Sequence, residues 1–302
     1  MSVWKPGRTR PATVAGALGC AFALVFSVPD AAGAAEPPPR EDTRDRPVIF
    51  IHGIQLQPNG MRCDSVWGKT KKAFLKAGWK KKNLITFGYY KDSPGGACDV
   101  QYKGNVDSDL RDIGRFLRNY IWKHYGSKGK SVDIVAHSMG GLIAREAIIQ
   151  ARQADKDVFV EDAVTMGTPF RGSGLAEACS LYSRQCRQMR KDSTYLLTRT
   201  MFTLAGLHNA RGGTDWTVMG SETDAVVSPR SAMGPSRLAE HHIRYVKPSK
   251  VYHSNNPSYY SKGKSRNRAK ISHNYGEDYT ARPALREPNF RAALAAYSES
   301  AF

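Results

Sequence analysis

The feature that most constrains this chain is an apolar, strand-like run that turns directly into a helix. Val132 to Ala136 is apolar and partly β-branched, and Met139 to Gln153 has the three- and four-residue spacing of a helix face. Ser138 stands between them, with small residues two before it (Ala136) and two after it (Gly140). Such a turn holds a hydroxyl at the carboxyl edge of a sheet, so the pattern predicts a nucleophilic serine. The alternative role of Ser138 is a helix N-cap.

Strand and helix patterns alternate along the rest of the chain. Apolar runs predict buried strands at 48–51, 84–90, 132–136, 158–165 and 215–220, and a last short strand at 244–246. Helical patterns lie at 64–77, 106–124, 139–153 and 287–297. This alternation predicts an α/β fold, in which a mostly parallel central sheet carries helices on both faces.

The amino-terminal residues are typical of an export signal. Three cations precede an uncharged apolar run, and Ala32-Gly33-Ala34 offers the small residues that a signal peptidase reads. We predict a signal peptide over 1–34, a proline-rich and charged linker over 35–46, and one domain over 47–302. A membrane anchor is the alternative, disfavoured by Gly16 and Gly19, and a lipid anchor at Cys20 is another.

Four cysteines follow the predicted signal peptide, an even number that suits two disulfides in an exported protein. Three pairings are open. We favour Cys63–Cys98, because each follows a predicted strand at the same edge of the sheet, and Cys179–Cys186, which closes a short loop. No Cys-x-x-Cys motif or histidine cluster is present, so no metal site is predicted.

The chain is strongly basic, with a formal net charge of +18. This balance favours anionic surroundings, such as an anionic lipid surface, a cell-wall polymer or an acidic substrate. Nucleic acid is disfavoured as a partner because no motif of a nucleic-acid-binding fold is present. A solvated basic surface with no dedicated partner is the alternative.

A serine nucleophile requires a base and an acid that orients the base, and after a strand-turn-helix elbow these follow in the order serine, acid, histidine. Asp224 is the predicted acid, because it follows the strand at 215–220 by a short turn. Glu222 is the neighbouring alternative, and Asp162 comes too early, inside or before a strand. An ordinary surface-turn role for Asp224 is also open.

Only a histidine after Asp224 fits that order. His273 lies in a loop-like stretch between a β-type residue and the last helix, so we predict that it is the base. His253 is the second choice. His241 and His242 follow the acid closely and resemble the end of a polar helix.

The negative oxygen that forms during acyl transfer requires two backbone donors. Met139, directly after the nucleophile, supplies one at the amino end of its helix. The other is predicted at Ile54, in the loop after the first strand, where Gly53 lets the backbone approach closely.

Three segments carry a family resemblance, Val48–Gly53, Ala136–Gly141 and Met166–Ser173. They resemble the α/β-hydrolase superfamily and, within it, secreted lipases and esterases of the actinobacterial and Bacillus type. The segment Cys186–Leu196 is similar to one that such lipases carry after the Gly-Thr-Pro loop. The resemblance implies that Ser138 is the nucleophile and Asp224 the acid, with His273 as base and Ile54 and Met139 as oxyanion donors.

The resemblance further implies a catalytic domain over 47–302 that acts as a monomeric, secreted serine ester hydrolase. The favoured activity is that of a triacylglycerol lipase or esterase with an acyl-enzyme intermediate and no cofactor. A phospholipase, a thioesterase or a wall-lipid acyltransferase on the same fold is the alternative, and so is a non-catalytic envelope-binding protein. Residues 172–210 are interpreted either as a lid that offers apolar surface to an acyl chain or as helices packed on the sheet.

Overall fold

The structure is a computed structural model. It describes residues 36–56, 62–91, 98–206, 208–235, 238–257, 267–273, 280–285 and 288–297. The predicted signal peptide at 1–34 lies outside the described residues. In the part of the chain that is described, no helix combines the length and the apolar character needed to cross a membrane.

One sheet organises the domain, with the strand order β3-β2-β1-β4-β5-β6-β7-β8-β9. The strands are β1 (Val48–Ile51), β2 (Leu84–Gly88), β3 (Val100–Gln101), β4 (Val132–His137), β5 (Val160–Met166), β6 (Asp215–Ser221), β7 (His241–Val246), β8 (Asn267–Ser272) and β9 (Thr280–Leu285). Strands β1 to β7 pair in parallel, whereas β8 and β9 add to β7 as antiparallel neighbours. The predicted mostly parallel sheet is therefore present.

Helices cover both faces of this sheet. They are α1 (Cys63–Lys76), α2 (Leu110–His124), α3 (Met139–Gln153), α4 (Gly174–Cys179), α5 (Arg184–Met189), α6 (Thr194–Leu204), α7 (Pro229–Ala232) and α8 (Pro288–Ala295). Because side chains alternate along a strand, Ile49 and Ile51 of β1 pack with α2 and α3, while Val48 and Phe50 pack with α1 and α8. Burial on both faces explains why β1 and β4 are continuous apolar runs.

Two boundaries differ from the sequence-based prediction by three residues or more. Helix α2 begins at Leu110 rather than at residue 106, because Asp109 caps it by accepting a hydrogen bond from the Arg111 amide at 2.8 Å. Strand β7 begins at His241, so His241 and His242 belong to a strand and not to the end of a polar helix. The antiparallel strands β8 and β9 were not predicted at all.

The end of the predicted linker is part of the packed domain. The Arg46 guanidinium lies at the amino edge of the sheet, 3.1 Å from Asp133 and 2.6 Å from Glu161. Its side chain is 4% exposed. Arg46 therefore fixes the chain where it enters β1.

Both favoured disulfides are present, Cys63–Cys98 and Cys179–Cys186. The first joins the start of α1 to the segment before β3, and the second joins α4 to α5. Helices α5 and α6 also pack on the domain itself. Gln188 of α5 accepts from the Leu110 amide at 3.0 Å, and Arg199 of α6 forms a buried ion pair with Glu146 of α3.

Candidate active site

Parallel register brings four strand ends to one edge of the sheet. Ile51 pairs with Ala136, His137 with Met166, and Met166 with Met219. The residues that follow β1, β4, β5 and β6 therefore meet at the carboxyl edge. This is the place where open α/β sheets bind their ligands.

Ser138 occupies a strained turn between β4 and α3. Its φ is +53°, a left-handed conformation that non-glycine residues rarely adopt and that is often retained at functional sites. It stands at the N-cap position of α3, but its side chain makes no capping hydrogen bond. Its Oγ instead lies 2.9 Å from Nε2 of His253. The hydroxyl is thus turned away from the helix and towards an imidazole.

Two glycines make room for this turn. A Cβ on Gly140 would lie 2.5 Å from the carbonyl oxygens of Ile51 and His52, and a Cβ on Gly53 would lie 2.8 Å from Cβ of Ser138. Neither position accommodates a side chain without movement of the backbone. Gly140, two residues after the serine, therefore lets α3 begin directly against the end of β1. Ala136, two residues before the serine, is fully buried.

His253 and Asp224 complete a hydrogen-bonded line. Nδ1 of His253 lies 2.8 Å from Oδ2 of Asp224. Because the carboxylate accepts, Nδ1 carries the proton and Nε2 is left to accept from the Ser138 hydroxyl. The other oxygen of Asp224 accepts from the amides of Val226 and Val227, both at 2.8 Å, so the acid is fixed from both sides.

Gly167, in the turn after β5, closes over this pair. Its φ is +60°, and a Cβ there would lie 3.2 Å from both Oδ2 of Asp224 and Nδ1 of His253. Its amide donates to the Met219 carbonyl at 2.8 Å, which holds the turn between the ends of β5 and β6. A side chain at position 167 would press on the bond between acid and base.

Two tyrosines hold the loop that contains Gly53 and Ile54. The Tyr89 hydroxyl lies 2.7 Å from the His52 carbonyl and 2.6 Å from the Gly53 carbonyl, to which it donates. The Tyr90 hydroxyl accepts from the Gln55 amide at 3.1 Å and lies 2.7 Å from the side chain of Gln185 in α5. These bonds fix the peptide planes around Ile54, one of the predicted oxyanion donors. The other, Met139, is the first residue of α3 and is fully buried.

Two further histidines near the serine, His137 and His52, form hydrogen bonds with backbone carbonyls. Nε2 of His137 lies 2.9 Å from the His253 carbonyl, so it donates to the loop that carries His253. Burial, together with the neighbouring His253, lowers the pKa of His137 well below its usual value. Burial also lowers the pKa of His52 to about 4, and its Nδ1 bonds to the Gly53 carbonyl at 2.7 Å. Both rings are therefore neutral at neutral pH.

A pocket of about 300 Å³ opens onto the line of three residues. Its walls mix the backbone of Gly53 and Ile54 with apolar side chains from α1 and α4, Val66 and Leu175. Ser138 and His253 both line it, so a molecule in this pocket would meet the hydroxyl and the imidazole. Within the described ranges, no group of three or more ligand side chains is arranged to hold a metal ion.

The structure brings Ser138 and Asp224 together as the sequence predicts, but the prediction of His273 is wrong in its geometry. His273 follows β8, and β8 runs antiparallel to β7, with Ser272 opposite His242 near the start of β7. It therefore lies at the amino edge of the parallel strands, where its Nδ1 is 2.9 Å from that of His241. His253, the second choice, occupies the position between Ser138 and Asp224.

A sequence signal for His253 does exist. A histidine needed at the carboxyl edge must follow the last parallel strand, and His253 follows β7 by seven residues. The two alternative acids lie elsewhere. Glu222 pairs with Arg244 at 2.8 Å, and Asp162 belongs to the buried cluster around Arg46.

Parts of the chain are similar to known proteins. Residues 45–170, which hold β1, the Ser138 turn and the end of β5, match the family model Lipase (class 2). No curated protein matches the chain. Similar solved structures include the mature form of a lipase from Bacillus licheniformis, with 18% identity and a TM-score of 0.45 over 66% of this chain and 84% of that one. A gene product of Listeria innocua has 14% identity and a TM-score of 0.46 over 71% of this chain and 89% of that one.

The strand order and the turn at Ser138 are those of an α/β-hydrolase fold. The match over residues 45–170 supports a hydrolase of the lipase or esterase type.

Proposed function

We propose that this protein is a serine carboxylic ester hydrolase in which Ser138, His253 and Asp224 form the catalytic triad. The observation that carries the proposal is the continuous line of two hydrogen bonds, 2.9 Å from Ser138 Oγ to His253 Nε2 and 2.8 Å from His253 Nδ1 to Asp224 Oδ2. The first makes the hydroxyl a nucleophile, and the second orients the ring and stabilises its charged form.

The reaction follows from these positions. Ser138 Oγ attacks the ester carbonyl carbon while His253 Nε2 takes the hydroxyl proton. The amides of Ile54 and Met139 are the proposed donors to the oxygen that becomes negative. His253 then returns the proton to the leaving alcohol, which departs as the acyl-enzyme forms. A water molecule, deprotonated by the same ring, releases the acid and restores Ser138.

The favoured substrate is a lipid or short-chain acyl ester, and a triacylglycerol is the first expectation. The pocket supports this choice because Val66 and Leu175 place apolar surface beside the serine, while Ser254 keeps part of the wall polar. Esters of increasing acyl length, with phospholipid and thioester members, measure the acyl and leaving-group preference together.

Labelling with a fluorophosphonate tests the triad. The wild-type protein is expected to react covalently, and Ser138→Ala is expected to abolish the label because it removes the hydroxyl that is hydrogen-bonded to His253. His273→Ala is the matched control and is expected to label like the wild type. Labelling that persists in Ser138→Ala would contradict the proposal.

We also propose export, on the amino-terminal pattern and the two disulfides, which suit an oxidising compartment. The amino terminus of the protein recovered from the medium is expected to be Ala35. Recovery of the uncleaved chain inside the cell would contradict this part of the proposal.

A further inference from the structure

Exposed apolar side chains are concentrated on one segment of the surface. Nine large apolar side chains are exposed among the described residues, and six of them lie between residues 175 and 204. They are Leu175, Leu181, Tyr182, Leu197, Met201 and Leu204, called the apolar face below. Single exposed apolar residues are normal, whereas a concentration of this kind marks a binding surface.

The members of the apolar face share a local arrangement. Leu197, Met201 and Leu204 recur at four- and three-residue steps, so they form a stripe along one side of α6. They are 56%, 68% and 63% exposed. Leu181, in the turn between α4 and α5, is 90% exposed. Helix α5 packs on both α4 and α6, so the segments that carry these side chains are neighbours.

This surface is continuous with the catalytic pocket. Leu175 belongs to the apolar face and also lines the pocket that contains Ser138 and His253. Helix α4, which carries Leu175, therefore stands at the mouth of the pocket. A layer that covers the apolar face would lie at the entrance to the site.

A groove of about 620 Å³ runs beside α4 and α6 within the same region. Leu196, Leu197 and Phe170 supply apolar surface to it, and Arg171, Lys191 and Arg230 supply cationic groups. Two acids also line it, but Glu177 is paired with Arg190 at 2.9 Å. The volume is within the usual range of ligand pockets. Apolar surface beside a surplus of positive charge suits an amphiphile with an anionic head.

We propose that the apolar face and the groove dock on a lipid layer with anionic headgroups. The exposed side chains of α6 enter the apolar part of the layer, and the cations of the groove meet its headgroups. A second copy of the chain fits this surface less well, because two molecules of formal charge +18 would oppose each other across it. Docking presents the pocket mouth at Leu175 to the lipid, which deepens the proposed function and uses none of the triad side chains.

Vesicle co-sedimentation tests the docking in Ser138→Ala protein, which cannot consume the lipid. Vesicles of equal parts phosphatidylglycerol and phosphatidylcholine are expected to bind more tightly than phosphatidylcholine alone, and added salt is expected to weaken binding. The triple variant Leu197→Gln, Met201→Gln and Leu204→Gln is expected to raise the apparent dissociation constant about 10-fold or more. Leu75→Gln, also exposed but on α1 near the opposite edge, is the matched control.

The cationic part has its own pair of variants. Lys191→Gln with Arg230→Gln is expected to remove most of the preference for phosphatidylglycerol. Lys81→Gln with Lys82→Gln changes the net charge equally, but these lysines lie just before β2, at the amino edge of the sheet. The protein with these two changes is expected to retain its preference for phosphatidylglycerol.

Three results would overturn the proposal. They are unchanged vesicle binding by the α6 variant, equal binding to both vesicle types, and a wild-type dimer in gel filtration that the α6 variant converts to a monomer. Hydrolysis of a water-soluble short-chain ester, measured with Ser138 intact, separates this proposal from the proposed function. The α6 variant is expected to retain that activity, and a wild type that binds vesicles but hydrolyses no ester would reject only the proposed function.

Discussion

Each edge of the sheet holds a cluster of polar side chains. One cluster opens onto a pocket, whereas the other is enclosed within the fold. At the carboxyl edge, Ser138, His253 and Asp224 form a line that opens onto a pocket. At the amino edge, Arg46 lies among Asp133, Glu161 and Asp162, and these side chains are at most 7% exposed. Strands β4 and β5 contribute to both edges, so the same framework supports both clusters.

The two clusters differ in whether their polar groups are occupied within the fold or face a molecule in the pocket. Around Arg46, the guanidinium also donates to the Glu41 carbonyl at 2.6 Å and to the Ser131 hydroxyl at 3.1 Å, so its donors are occupied within the fold. In the proposed catalytic line, His253 Nε2 is placed to take the proton of Ser138 Oγ, which faces the pocket, and the bond to Asp224 orients the ring. We therefore expect changes at the carboxyl edge to reduce activity with little loss of stability, and changes at the amino edge to do the reverse.

The largest expected effect is on catalysis. His253→Ala removes the proposed base, and kcat/KM for a soluble ester should fall about 10⁴- to 10⁶-fold, as it does when a triad member is lost. For His273→Ala, at the other edge, kcat/KM should stay within about twofold of the wild-type value, since a surface substitution away from the site usually changes little. Steady-state kinetics on both variants checks this. A large loss in His273→Ala with an active His253→Ala would reverse the assignment.

The next effect is on stability. Arg46→Met removes the one cation among three buried carboxylates, so the free energy of unfolding should fall by about 3–5 kcal/mol. Arg40→Met is the matched control. It breaks an ion pair with Asp215 in which Arg40 is 38% exposed, and this should cost about 1 kcal/mol or less. Denaturant unfolding measures both, and a loss in Arg46→Met no larger than that in Arg40→Met would contradict the expected stabilising role of the buried cluster.

A smaller effect on catalysis is expected at the loop behind the serine. Tyr89→Phe removes the hydroxyl that bonds to the His52 and Gly53 carbonyls, and this should loosen the peptide that presents the Ile54 amide. We expect kcat to fall about 10-fold with KM little changed, because an oxyanion donor acts mainly in the transition state. Tyr120→Phe, on α2, is the control. A change confined to KM would argue against a positioning role for Tyr89.

The smallest effect is a change in pH dependence. Burial raises the pKa of Asp133 to about 7, and the nearby Glu161 adds to it against the opposing pull of Arg46. A carboxyl whose pKa is higher in the folded state binds its proton more tightly there, so its contribution to stability is full at low pH. That contribution is lost as the pH rises from about 4 towards 7.

Asp133→Asn should therefore flatten the fall in stability between pH 4 and pH 7, by at most about 1.4 kcal/mol per pH unit, the value for one proton. Unfolding by denaturant at a series of pH values measures this slope. A slope in Asp133→Asn that equals the wild type would mean that this carboxyl does not titrate in the range.

Much of the carboxyl edge could be predicted because its signals are local. The turn at Ser138 needs a strand, small residues and a helix within about ten positions, and the loop at Gly53 needs only the end of β1. Asp224 follows a parallel strand, so its place at the same edge follows from strand direction alone. The cysteine pairs likewise follow from loop positions, and the structure contains both.

The position of the histidine and the partners of Arg46 could not be predicted in this way. They depend on the direction of a strand and on contacts between residues far apart in the chain, which no local pattern contains. His273 follows a strand, as a catalytic histidine would, but β8 reverses direction and ends at the wrong edge. Arg46 looks like linker charge, yet it reaches Asp133 and Glu161, which lie 87 and 115 residues away in the chain. The sequence by itself determined the parallel framework, the tight turn at Ser138 and the glycines beside it, because hydrophobic periodicity and turn geometry act between near neighbours. Only the tertiary structure decided which histidine meets Ser138 and where the charges of Arg46 are satisfied, because both depend on which strands lie side by side and in which direction they run.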